Sequence, residues 1–357
     1  MSELDQWRKE IDRIDAQIVK AINERYGLVL KIGEWKRSRN LPIYVPEREA
    51  ALLEKLSAEN TGPMPEETLR AIYSEIMSGS RRLERPLTVA CLGPDGTYSA
   101  EAARGRFGHA AKLTMVKSMP DVFLEVESGR ADLGCVPVEN GAEGVVNSTL
   151  DRLRDTPLSI VSEWYVPIHH MLLSHVPLDK IECIYSHPQV LGQCRKFLAA
   201  NFPKVSLVEA PSSARAAELA SRDANAAALA GRSAADKYHL PILIENVEDD
   251  PGNSTRFLAI ASTPAGATGR DKTSFCFTLQ DRAGALCEAL QIIADAGLTM
   301  SLIESRPLRT TRWEYCFFVD VLGHRNDKPV AEMLHKMSMV STGIKVFGSY
   351  PAAEPTR

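Results

Sequence analysis

The stretch DDPGNSTRF, residues 249–257, leads from a polar loop straight into an apolar run, 257–260, that reads as a strand. Pro251 and Gly252 mark a turn, Asn253 and Thr255 bring an amide and a hydroxyl, and Arg256 offers a planar fork suited to a carboxylate. Alone, such a stretch is more often a surface turn whose Asn and Thr satisfy backbone groups. Two upstream stretches share its character: 131–138 runs into Glu139, Asn140 and Gly141, and 181–185 into Ser186 and His187. Ligands of open α/β sheets sit at the carboxyl ends of strands, so the three stretches point to one cleft.

Working outward, GPDGTYS (93–99), PVENGAEG (137–144), YSHPQVLGQC (185–194) and NSTRF (253–257) occur in that order. Together they resemble the prephenate dehydratase pattern, over residues 87–263. From residue 87 short apolar runs alternate with helical stretches, as in an α/β domain. The run 158–173 is long enough to pass from one lobe to another and 242–260 to return, which gives a two-lobed, periplasmic-binding-protein-like architecture for 86–263. The GPDGTYS turn opens a helix whose N–H groups suit a carboxylate. The resemblance implies that Thr255 assists departure of the ring hydroxyl as carbon dioxide is lost. It also implies that Thr97, Ser99, Asn140, Ser186, Gln193, Asn253 and Arg256 position the substrate, with Glu139 a proton source. His187, a His before Pro at a strand end, reads as structural, and His169-His170 lack the third ligand of a metal site.

Composition sets the bounds. With 357 residues the chain is expected to form two or three domains. Apolar residues at 44%, charged residues at 25%, a net charge of −4 and a pI near 6.1 describe an ordinary soluble protein with no general face for nucleic acid or anionic membrane. Seven scattered cysteines show neither ligand spacing nor a disulfide framework, so no metal and no cofactor is expected. The N-terminus is charged from the start, and no run approaches a membrane span, which together fit a cytoplasmic protein.

Residues 1–85 read as three helices. Leu4, Ile11, Ile18 and Ile32 hold one heptad position and Trp7, Ile14, Ala21, Leu28 and Trp35 the other, predicting one helix of about 36 residues and about 54 Å from Ser2. A domain of this size has a radius of gyration of only about 12 Å, so a second copy of the chain is expected to cover the stripe. Arg25 breaks the stripe. It either pairs with a carboxylate such as Glu24 or binds an anion in a bundle core, and Lys36, three turns on, lies on the same face. Helices over 46–59 and 65–84 follow. This segment resembles the all-helical chorismate mutase family, with Arg8, Arg25, Lys36, Arg48, Glu49, Ser80 and Glu84 on its active-site pattern. The resemblance implies an intertwined homodimer in which Arg8 crosses to the other subunit, and a Claisen rearrangement that needs only positioning and charge stabilisation. Val45 stands where the family pattern has an acidic residue, and Glu84 where a glutamine is better known.

After the small-residue linker 263–269, a βαββαβ order is predicted over 270–350, a ferredoxin-like α+β unit. It resembles an ACT domain. GALC (284–287) and ESRP (304–307) match the phenylalanine-binding pattern, which implies an effector site at Gly284, Ala285, Leu286, Glu304, Ser305, Arg306 and Pro307. The order of units resembles the bifunctional chorismate mutase/prephenate dehydratase family: a multidomain chain acting on chorismate and prephenate and inhibited by phenylalanine. The alternatives are a dehydratase with a degenerate mutase half and a non-catalytic two-lobed binding protein.

Overall fold

The computed structural model describes residues 2–39, 41–307 and 315–354. Ser2 opens α1 (Glu3–Arg37, 35 residues) with a capping box to Asp5. The helix is about 53 Å long. α2 (Pro46–Glu59) has Pro in its first turn, and α3 (Glu66–Glu84) packs on α1 in the same direction, Ile76 beside Tyr26 and Glu84 beside Gly33. Gly33 permits the close approach, because a Cβ there would lie 2.9 Å from Glu84 Cγ and 3.3 Å from its Cα. Only Val29 and Gly33 of α1 are buried among the described residues. The heptad stripe (Leu4, Trp7, Ile11, Ile14, Ile18, Leu28, Ile32, Trp35) stays exposed on a single chain.

The α/β unit has two sheets. β1 (Thr88–Leu92), α4 (Tyr98–Phe107), β2 (Lys112–Val116), α5 (Met119–Glu127), β3 (Leu133–Asn140), the short β4 (Gly144–Val145), α6 (Asn147–Asp155) and β5 (Ser159–Pro167) build the first lobe. The chain then crosses to the second: β6 (Met171–Ser174), β7 (Cys183–Ser186), α7 (Pro188–Gln193), α8 (Arg195–Asn201), β8 (Ser206–Glu209), α9 (Ser213–Ala220), β9 (Ala226–Ala230), α10 (Arg232–Tyr238) and β10 (Ile242–Ile244). β11 (Ser254–Ala261) returns to the first sheet, ordered β2-β1-β3-β11-β5 with β4 on β3. The second sheet is ordered β10-β6-β9-β7-β8. β11 lies antiparallel between β3 and β5, so the decisive stretch becomes a fully paired inner strand. The two lobes expected from the 158–173 and 242–260 runs are both present.

The βαββαβ unit consists of β12 (Asp271–Thr278), α11 (Ala285–Asp295), β13 (Met300–Pro307), β14 (Tyr315–Leu322), α12 (Lys328–Val340) and β15 (Gly343–Pro351), in an antiparallel sheet β13-β14-β12-β15. One face packs on its own helices through Phe275, Phe277 and Val319. The other, through Cys276, Phe318, Phe347 and Tyr350, joins a core shared with Val136, Ile160 and Leu258 of the first lobe.

Candidate active sites

The interlobe cleft encloses about 390 Å³, with Thr97, Ser99, Asn140, Gln193 and Thr255 among its lining. Thr97 caps α4, its hydroxyl oxygen accepting from the Ala100 N–H while its proton goes to the Leu92 carbonyl at 3.1 Å. This sets the start of α4 in the cleft wall. Asn140 and Thr255 are paired across β3 and β11. Asn140 Oδ1 accepts from the N–H groups of Ala142 (3.0 Å) and Glu143 (3.2 Å), which fixes the amide orientation. Its Nδ2 therefore donates to Thr255 Oγ1 at 2.8 Å. With its oxygen already accepting, the Thr255 hydroxyl is left to donate into the cleft.

Arg256 is a correction. Successive strand residues point to opposite faces, so a strand that presents Thr255 and Phe257 to the cleft turns Arg256 away. Its buried guanidinium contacts Glu163, Asp320 and the Tyr350 hydroxyl, and does not reach the substrate space. Glu139 shares that outer face, 3.9 Å from Arg256, rather than the position of a proton source in the cleft. Ser186 is also displaced from its expected role: fully buried, it donates to the Leu229 carbonyl at 2.8 Å. Asn253 is buried beside the cleft, lining a neighbouring cavity with Gln193, and its Oδ1 has no hydrogen-bond partner among the described residues.

Lys117 and His170 are among the lining residues that sequence reasoning missed. Lys117 supplies a cation at the cleft wall, and nothing in its local sequence marks it. His170 is held between the Tyr98 hydroxyl on Nδ1 and Gln193 Oε1 on Nε2, each at 2.7 Å. Burial pushes its pKa below the usual imidazole range, despite the opposing effect of the Gln193 hydrogen bond. His169 instead pairs with Glu248 at 2.7 Å. His187 caps α7 and also lines the cleft.

In the helical unit, Arg25 donates to Ser80 Oγ rather than to Glu24. Lys36 Nζ lies 3.3 Å from Glu84 Oε2 and 3.3 Å from the Ile43 carbonyl. The structure thus brings Arg25, Lys36, Ser80 and Glu84 together along the α1–α3 seam. Glu49 is drawn to Arg81 of α3, which also donates to the Phe107 carbonyl at 2.8 Å. Arg48 is exposed on α2, and Arg8 is exposed about 25 Å along α1 from Arg25.

In the βαββαβ unit, Gly284 has φ +84° and precedes α11, a conformation suited to glycine. Ala285 is buried and Leu286 packs against the α11 core. Glu304 and Arg306 lie directly opposite Phe318 and Cys316, and share their face toward the first lobe. Arg306 accordingly pairs with Asp151 of α6 at 3.3 Å. Ser305 and Pro307 alternate to the other side. Ser305 and Pro307 therefore share the helix-bearing face with α11, which follows Gly284, while Glu304 and Arg306 lie on the other.

Fold and sites define a multidomain protein: a helical seam of cations, a two-lobed cleft organised around a paired Asn and Thr, and a ferredoxin-like unit packed behind that cleft. Family models match chorismate mutase type II at residues 7–85, prephenate dehydratase at 89–265 and the ACT domain at 276–337. A bifunctional chorismate mutase/prephenate dehydratase of Aquifex aeolicus is 44% identical over 358 residues, with 99% of each chain covered. The structure of a prephenate dehydratase from Arthrobacter aurescens in complex with L-Phe is similar at a TM-score of 0.70 and 33% identity, over 76% of this chain and 92% of that one. A quorum-quenching acylase of a novel type is similar at 0.68 and 29%, over 74% and 98%. The chain belongs to the bifunctional chorismate mutase/prephenate dehydratase family.

Proposed function

We propose that this chain rearranges chorismate to prephenate in the helical unit. In the cleft it converts prephenate to phenylpyruvate, carbon dioxide and water. The observation that carries the dehydratase reading is the Asn140–Thr255 pair, whose fixed polarity aims one hydroxyl donor into the cleft. That donor assists the leaving ring hydroxyl, while the start of α4 and Lys117 suit the two carboxylates. Gln193, held by His170, is a third polar group for the substrate. In the helical unit Arg25, Lys36 and Ser80 hold the chorismate dianion, Arg48 and Glu49 complete the binding set, and Glu84 faces the ether oxygen. Arg8 comes from the second copy of a homodimer, which the exposed stripe of α1 supports.

Phenylalanine binds the ACT unit through the 284–286 and 304–307 motifs and lowers dehydratase activity, a cytoplasmic feedback for which seven free thiols are suited. The acylase likeness covers 74% of this chain, whereas the bifunctional relative covers 99% of it. The test is incubation with chorismate followed by alkaline absorbance of phenylpyruvate. Thr255→Ala should stop the reaction at prephenate, with dehydratase turnover lowered at least about 100-fold and mutase turnover within about twofold. Loss of both activities in the folded variant would refute the division of labour. Prephenate consumption without chorismate consumption would identify a degenerate mutase half.

A further inference from the structure

Arg256 lies next to the cleft, and the partners of its buried guanidinium come from two units. Its Nε lies 2.7 Å from Glu163 Oε2 on β5, its Nη1 2.6 Å from Asp320 Oδ2 on β14, and its Nη2 donates to the Tyr350 hydroxyl on β15 at 3.0 Å. Lys272 of β12 closes the set at 2.7 Å from Glu163 Oε1, and the Ala353 N–H donates to the same oxygen at 2.9 Å. Arg256, Lys272, Glu163 and Asp320 are each at most 4% exposed. Two buried cations thus balance two buried anions across the junction. A shift of the ACT sheet against β5 and β11 cannot leave these groups unpaired, because an uncompensated buried charge is strongly unfavourable. Arg256, paired to both units, is the cleft-side group that such a shift draws along.

Arg256 is the immediate chain neighbour of Thr255. The ladder between β11 and β3 is irregular at this step: Arg256 pairs with Glu139 but Phe257 with Pro137, leaving Val138 as an extra residue. Bulges of this kind re-aim side chains and interrupt pairing. The register break therefore lies next to the Thr255–Asn140 pair, where a small pull on Arg256 can turn the Thr255 hydroxyl.

We propose that Arg256 is a positioning residue for the dehydratase reaction, through which the ACT unit sets the direction of the Thr255 hydroxyl, with Asp320 as the contact that carries the signal. The proposal rests on the dehydratase and phenylalanine readings above. It assigns them a route: effector binding displaces β14, Asp320 takes Arg256 with it, and the donor in the cleft loses its aim.

The experiment uses the full-length chain, with mutase turnover as the control for folding. Arg256→Lys should lower prephenate kcat by about tenfold or more with KM within about twofold, as expected for a group that does not touch substrate. A raised KM with unchanged kcat would instead show direct carboxylate binding and overturn the proposal. Asp320→Asn should keep the calorimetric affinity for phenylalanine within about threefold while weakening inhibition of prephenate turnover by at least about tenfold. Inhibition equal to wild type with intact binding would overturn the signal route. If Asp320→Asn does not fold, Tyr350→Phe, which removes one hydrogen bond and keeps the ring, should weaken inhibition by at least about threefold, and unchanged inhibition there counts equally against the route. Absence of phenylalanine binding to the wild-type chain would sink the effector reading itself, a result distinct from either of these.

Discussion

At the residue scale, position on an element decided which motif residues share a site. NSTRF looks like one polar cluster in the sequence, yet the period of two along β11 sends Thr255 into the cleft and Arg256 behind it. His170 had no motif to announce it, because its role comes from Tyr98 and Gln193, which are 72 and 23 residues away in sequence. Burial lowers its pKa in the folded chain, so between the folded and unfolded values the unfolded chain binds the extra proton. Stability carried by neutral His170 is therefore present above about pH 6.5 and is lost as pH falls toward the folded pKa. Urea unfolding from pH 7.5 to 5.5 should show a steeper loss for wild type than for His170→Gln, and equal slopes would contradict this. Glu84 gives a second test at this scale. An amide can donate a hydrogen bond to the ether oxygen, whereas an ionised carboxylate only accepts. Glu84→Gln should keep mutase kcat/KM at or above wild type, while Glu84→Ala should lower it by about tenfold or more. Equal activity of all three would place Glu84 outside the reaction.

At the element scale, α6 joins the cleft and the ACT unit. It begins just after Val146, which lines the cleft, and its C-terminal end is held by the ACT unit. Lys345 of β15 donates to the carbonyls of Leu153 (3.0 Å), Arg154 (2.7 Å) and Thr156, groups that a helix end leaves without intrahelical partners. The positive charge also opposes the negative end of the helix dipole. Lys345→Met keeps most of the aliphatic stem but removes the donor. It should cost about 1–3 kcal/mol, measured as a lower urea midpoint with the m-value unchanged. A midpoint equal to wild type would mean that water replaces the ammonium at no cost. The helix itself was legible only as part of an α/β alternation, and its cap could not be read because the capping residue lies about 190 positions downstream.

At the scale of the whole molecule, the uncovered stripe of α1 is the ground for the proposed second chain. If Arg8 completes the mutase site of its partner, Arg8→Ala and Arg25→Ala homodimers should each be nearly inactive as mutases. Mixed and allowed to exchange subunits, they should recover about a quarter of wild-type activity, since half the dimers are hybrids and each hybrid holds one intact site of two. No recovery despite demonstrated exchange would place Arg8 in its own chain's site or outside both. The dehydratase cleft, built within one chain, should be indifferent to the mixing.

The three units, their order, the long first helix, the crossing between lobes and the βαββαβ pattern were legible in the amino-acid sequence. These depend on local signals: side-chain periods of 3.6 and 2, turn residues, and short motifs that keep their chain order. Packing was needed to show that Arg256 and Glu139 face the ACT unit, that Ser186 is consumed by the backbone, that Glu49 pairs with Arg81, and that Lys117 and His170 belong to the cleft. The physical reason is the same in each case. A side chain's chemistry is printed in its identity, but whether it is free to act depends on charges and carbonyls brought to it from distant parts of the chain, and those distances are set by packing.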